Sequence, residues 1–186
     1  MKKTVVLIVA ILVSVCAMAQ TKQHMKFMGI PMGVSITTFQ QKLIAKGLKY
    51  DQKASKLISA GCRKFTGTFA GYKVDIYTYY DTKDSKVYRS KVMIDRYILD
   101  EANQVFYDIV PMIRKKYPSA ILRIPNEPEP EYEEATFIVD EGYIQCYVSK
   151  FAADWNYRLK DLYTVSIDYW DSKAVDQHQS NRMDDL

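Results

Sequence analysis

Hydrophobic and polar positions recur along this chain with two periods, and these divide it into helices and strands. Between residues 34 and 48, Ile36, Phe39, Leu43 and Ile44 fall on one stripe of a 3.6-residue helix. Ser35 stands at the N-cap position. Val34 before it and Phe39 four residues into the helix make a hydrophobic staple. Gly47 occupies the place of a terminating glycine, with Leu48 ready to fold back onto the last turn. The period then drops to two. Residues 63–70 read as a strand weakened by Gly67, and 72–81 alternate cleanly. In that second strand Tyr72, Val74, Ile76, Thr78 and Tyr80 face one way, and Lys73, Asp75, Tyr77, Tyr79 and Asp81 the other. The polar turn 82–85 leads into a third strand, 86–96, as an antiparallel hairpin.

The sequence then starts again. Asp100 is the expected cap of a helix from about 100 to 117, with Ala102, Val105, Phe106, Ile109, Met112 and Ile113 as its apolar stripe. Pro111 lies inside the pattern and should kink the helix, and Pro118 stops it. Residues 126–134, with five Glu and two Pro, read as a solvated loop. Strands are expected at 134–140, 142–149 and 160–170, and residues 171–186 read as a polar, frayed tail.

Helix and three strands therefore occur twice, at about 34–97 and 100–170. Val92, Ile94 and Asp95 match Val165, Ile167 and Asp168 in a V-x-I-D-x-aromatic pattern, and Gly71-Tyr72 matches Gly142-Tyr143. The expectation is one α+β domain over 20–170. It would be a tandem αβββ repeat forming an antiparallel sheet, with two helices packed on one face. Three motifs carry a resemblance: FMGIPMG at 27–33, Phe39, Leu43, Lys46 and Gly47 of the first helix, and FTGTFAGYK at 65–73. With these the chain resembles small, mostly uncharacterised exported proteins of anaerobic gut bacteria. Its element order also resembles the β-lactamase inhibitor protein and outer-membrane assembly lipoprotein folds. That likeness implies a binding or assembly role and carries over no site residue.

Residues 1–19 differ from all of this. Lys2 and Lys3 precede an apolar run from Val5 to Val15, and Ala17-Met18-Ala19 follows as a cleavage site. This reads as a signal peptide cleaved near Ala19, placing the mature chain in the periplasm or outside the cell, with no transmembrane segment. Cleavage would remove Lys2, Lys3 and Cys16 from the working composition. Cys62 and Cys146 would remain, in a compartment that permits a disulfide between them.

The formal charge of +4 argues against a basic stripe for nucleic acid. There is no nucleophile elbow, P-loop, C-x-x-C or H-E-x-x-H motif, so no catalytic residue, metal ligand or cofactor is assigned. The two histidines, His24 and His178, lie near the ends, where geometry is poorly held. Asp95 and Asp168 would be mates in the repeat: they could bring two carboxylates together, or each could end a strand and bind backbone or a nearby Arg or Lys. Tyrosine is the excess, with 15 Tyr against 7 Phe and 2 Trp. On the strand faces opposite the apolar positions stand Tyr77, Tyr79, Arg89, Lys91, Tyr143, Tyr147 and Trp170. Such a face has the composition of a binding surface for a protein or a glycan. The expected function is thus an exported, non-catalytic interaction module. The alternatives are a carboxylate-based extracytoplasmic enzyme, or an envelope structural or assembly protein.

Overall fold

The computed structural model describes residues 23–125, 133–151 and 161–183. The expected signal peptide and most of the acidic loop lie outside the described residues. Two strands of two residues, β1 (Lys26–Phe27) and β2 (Ile30–Pro31), open the described chain as a small hairpin. Helix α1 runs Ile36–Ala45 with Ser35 as its N-cap, the hydroxyl accepting from the Thr38 N–H. Its end closes as expected. The Gly47 N–H donates to Ile44 O and the Leu48 N–H to Leu43 O, with Gly47 at φ +91 and Leu48 buried. Ile36, Phe39 and Leu43 are buried, but Ile44 is 47% exposed, so the buried stripe is narrower than expected.

Next come β3 (Lys49–Tyr50) and the one-and-a-half-turn helix α2 (Gln52–Leu57), capped by Asp51 through the Ala54 N–H. Neither was anticipated, because elements this short show no period. Strands β4 (Cys62–Phe69), β5 (Tyr72–Tyr80) and β6 (Val87–Arg96) follow. Gly67 does not break β4. A Cβ there would lie 2.5 Å from Leu48 Cδ2, so the missing side chain makes room for the returning Leu48. Helix α3 (Leu99–Lys116) starts at Ile98 without a side-chain cap, and Asp100 lies in its first turn instead of capping it. Ala102, Val105, Phe106, Ile109 and Ile113 are buried, while Met112 is half exposed. Then come β7 (Ile121–Arg123), also unanticipated, β8 (Glu134–Val139), β9 (Gly142–Phe151) and β10 (Leu162–Asp171). Glu134 therefore begins a strand and is not loop.

The fold is α+β. Eight strands form one antiparallel sheet in the order β3-β4-β5-β6-β10-β9-β8-β7. The order reads outward from a central β6–β10 seam, with a very short strand at each edge. Val92 pairs with Ile167 and Ile94 with Val165 across the seam, on the face that carries the core. The Gly-Tyr match fares differently. Tyr72 is on the core side of β5, whereas Tyr143 is on the opposite side of β9. Phe27 joins helix to sheet: its ring lies 6.4 Å from Phe39 of α1, 6.0 Å from Phe69 and 5.1 Å from Tyr169. One apolar cluster contains the buried sides of α1 and α3 and the inward side chains of the sheet, so both helices share one face.

The tail is a helix, α4 (Ser172–Met183), where fraying was expected. Its only buried side chain among those described is Ala174, so polar contacts hold it. Asp171, fully buried, accepts from the Ala174 N–H at 2.6 Å and caps the helix. The same carboxylate accepts from the Met25 N–H at 2.6 Å and lies 3.0 Å from His24 Nδ1. Near the far end of α4, His178 Nδ1 lies 2.8 Å from Asp81 Oδ2, Asn181 donates to the same oxygen, and the imidazole stacks on Tyr88. Both histidines near the chain ends are thus held against buried carboxylates, contrary to the expectation that they would be peripheral. Burial alone would raise the Asp81 pKa. Hydrogen bonds from His178, the Lys83 N–H, Asn181 and the Asp84 N–H outweigh it and hold the carboxyl at about 2.

Two tests follow from this packing. A Cβ on Gly142 would overlap the carbonyl oxygen of Trp170 on the neighbouring strand. Gly142→Ala should therefore cost about 2–3 kcal/mol in urea unfolding, because backbone must move to admit it. Asp81 has a folded pKa below its ordinary value of 3.8, so its contribution is complete above that value and lost as pH falls toward 2. Asp81→Asn should lower stability at pH 7 by about 2 kcal/mol and flatten its acid dependence below pH 4, measured by denaturation across pH.

Candidate functional site

The side chains opposite the core build a second face from three rows that cross the central strands. The first row, through the register, runs Cys62, Tyr79, Arg89, Trp170, Tyr143. The second runs Lys64, Tyr77, Lys91, Asp168, Gln145, and the third Thr66, Asp75, Met93, Ser166, Tyr147. All seven residues singled out as binding candidates, Tyr77, Tyr79, Arg89, Lys91, Tyr143, Tyr147 and Trp170, stand on this face. Each is half-buried.

Arg89 is its hub. The guanidinium donates from Nε to Asp168 Oδ1 at 2.8 Å and from the Nη2 nitrogen to Oδ2, a two-pronged pair across the seam. Its carbon sits 4.2 Å from the Trp170 ring centroid and 4.7 Å from that of Tyr79. Burial works against the Arg89 charge, but the hydrogen bonds and attraction of Asp168 outweigh it and hold the pKa above its ordinary value. Tyr143 stacks on Trp170 with centroids 5.6 Å apart. Lys91 lies over Tyr147, and Lys64 over Tyr77 while pairing with Asp75 at 2.6 Å. Burial pushes the Tyr79 phenol up to about 12 and also raises Tyr143, so both hydroxyls stay neutral donors. Two buried polar atoms of this face have no hydrogen-bond partner: Ser166 Oγ and Trp170 Nε1.

The structure rearranges the other candidates. Cys62 and Cys146 are free thiols. Cys62 belongs to the polar face on β4 and Cys146 to the core face on β9, with three strands between them. Four strand spacings, roughly 19 Å, separate the two strands, far beyond the reach of a disulfide. Burial raises both thiols, Cys62 to about 11 despite nearby Arg89, which leaves them unreactive. Asp95 and Asp168 share a face but not a site. Asp95 pairs in register with Thr164, four positions along β10 from Asp168, roughly 13 Å away. Asp95 accepts from the Thr164 hydroxyl at 2.7 Å, and Asp168 is taken by Arg89. A shared-proton pair is therefore not assembled. Glu127, Glu129 and Glu131 lie outside the described residues. Glu133 accepts from Tyr107 and Glu134 from Gln145.

Asp168 takes the arginine partner expected of a strand-end carboxylate. Its two-position offset from Trp170 puts it on the polar face, but only the strand register places it within reach of Arg89. Among the described residues, no cluster of three or more His, Cys, Asp or Glu side chains is placed to hold a metal ion, and no helix is long and apolar enough to cross a membrane. Comparison with protein-family models, curated proteins and solved structures finds no match.

Removing one partner of the central pair tests its importance to the face. Asp168 is 2% exposed and would leave the Arg89 guanidinium without its counter-charge. Asp168→Ala should destabilise by about 3 kcal/mol, and Arg89→Met with Asp168→Ala by less than the two single changes together, read from a double-mutant cycle in urea.

Proposed function

We propose that the protein is an exported, non-catalytic interaction module whose polar sheet face binds a protein partner. The observation that carries this reading is the convergence of seven aromatic and basic side chains, drawn from four neighbouring strands, on one continuous face. Tyrosine, tryptophan and arginine at this density are the residue types that concentrate binding energy at interfaces. The face is also pre-organised. Arg89 is pinned by Asp168 and stacked against two rings, so little side-chain freedom is lost on association. The unpartnered Ser166 Oγ and Trp170 Nε1 add to this, because such unmet groups are retained in native proteins mainly where a function uses them.

Ring occupancy favours a protein over a glycan. A sugar stacks on an open aromatic face. Here cations lie over Tyr77, Tyr79 and Tyr147, and Trp170 is taken by Arg89 and Tyr143. What remains is suited to hydrogen bonding and edge contact, as between two protein surfaces. The enzyme reading loses its candidate pair, since Asp95 and Asp168 stand apart.

A comparison of the immobilised protein with its Tyr77→Ala/Tyr147→Ala variant, using cell-envelope extract and a glycan array, tests the proposal. The expected result is a protein retained by the parent and captured at least about tenfold less by the variant. Equal capture by both would overturn it, and selective loss of a glycan signal would move the partner to the glycan class.

A further inference from the structure

The modest net charge conceals a local excess. Across residues 32–74 the single carboxylate is Asp51, and it is engaged in capping α2. Against it stand Lys42, Lys46, Lys49, Lys53, Lys56 and Lys73, all exposed and none held by a carboxylate among the described residues. The fold strings most of them along the outer edge of β4. At its upper end α2 covers the strand, with Ser55 Oγ accepting from the Lys64 N–H at 2.9 Å. Next, β3 pairs with Phe65 and Thr66. Below that lies an open cleft of about 560 Å³ with Lys46, Lys49 and Lys73 on its walls beside Asp75, whose carboxylate is paired with Lys64 at 2.6 Å. The basic edge is thus about as long as β4, roughly 25 Å.

An apolar side chain stands among these lysines, one helical turn on from Lys53. Leu57, at the end of α2 beside Lys56, is 82% exposed, and α2 buries none of its side chains. We propose that this edge docks on an anionic lipid bilayer, with the ammonium groups at headgroup phosphates and Leu57 entering the interface. The cleft wall carries no aromatic ring, so it has no platform for a nucleic-acid base or a pyranose. An acidic peptide would engage the lysines but leave Leu57 in water. Protection of a sheet edge by lysine accounts for Lys49 on β3, but not for Lys53, Lys56 and Leu57 on a helix. The cleft adjoins the polar face through Thr66 and Asp75, but none of the seven aromatic and basic residues of that face lines it.

Co-sedimentation of the full chain with vesicles tests it, comparing phosphatidylcholine alone with phosphatidylcholine containing phosphatidylglycerol. Attachment through the apolar run Val5–Val15 and its flanking Lys2 and Lys3 is common to parent and variants, so the difference between them reports the edge. Binding should be at least about tenfold stronger to anionic vesicles and should fall away at about 0.5 M salt. Lys53→Glu/Lys56→Glu should lose most of the charge-dependent part, and Leu57→Gln should weaken it with the charge intact. Circular dichroism of both variants should be unchanged, since all three side chains are exposed. Equal binding to both vesicle types would overturn the proposal. So would capture of a polyglutamate peptide without vesicle binding, which would mark an acidic-peptide site. Charge-reversed variants that still bind vesicles but now self-associate would also overturn it, showing that the lysines only guard the sheet edge.

Discussion

The pairing of β6 with β10 is the constraint on which the rest of this structure depends. Each half-sheet pairs strands that follow one another in sequence. Among the described strand pairs, the seam alone joins segments more than sixty residues apart, and it does so over eight paired positions from Tyr163 with Arg96 to Trp170 with Arg89. Both sides of the sheet are set by that register. On one side it brings Val92, Ile94, Val165 and Ile167 into the centre of the core, beneath α3. On the other it brings Arg89 onto Asp168 and under Trp170. A slip of one residue would exchange the two sets and put charge into the core.

The two faces of the seam are therefore stabilised by different physics. The core side gains from apolar area removed from water, which does not depend on direction. The polar side gains from a charge-assisted pair and cations over rings, which depend on geometry and on partial exclusion of water. Such a face is rigid without being sealed. This combination allows large side chains to remain half-buried and available for a partner.

The ends of the described chain extend the same logic. Asp171 directly follows Trp170 and so points to the core side, where it meets His24 and Met25 and caps α4. Helix α4 in turn reaches Asp81 at the start of the β5–β6 turn. A helix without an apolar stripe is kept in place by two buried carboxylates, one at each end. Its position is thus a consequence of the strand order, since the seam sets the β5–β6 turn that carries Asp81 alongside β10, which ends at Asp171.

Periodicity alone determined much of this. The residues of α1 and α3, the alternation of β5, β6, β9 and β10, and the membership of Tyr77, Tyr79, Arg89, Lys91, Tyr143, Tyr147 and Trp170 on one face all follow from spacing. Side chains two apart in a strand point the same way whatever the partner strand. What spacing does not carry is which strands lie side by side and in what register. The short β3, β7 and α2 have too few residues to show a period, and α4 has no apolar stripe to show. Cys62 and Cys146 look pairable until they fall on opposite faces. Asp95 and Asp168 look equivalent until one is found beside Thr164 and the other beneath Arg89. Those outcomes belong to the tertiary structure, because a contact between residues dozens of positions apart exists only once the sheet has chosen its order.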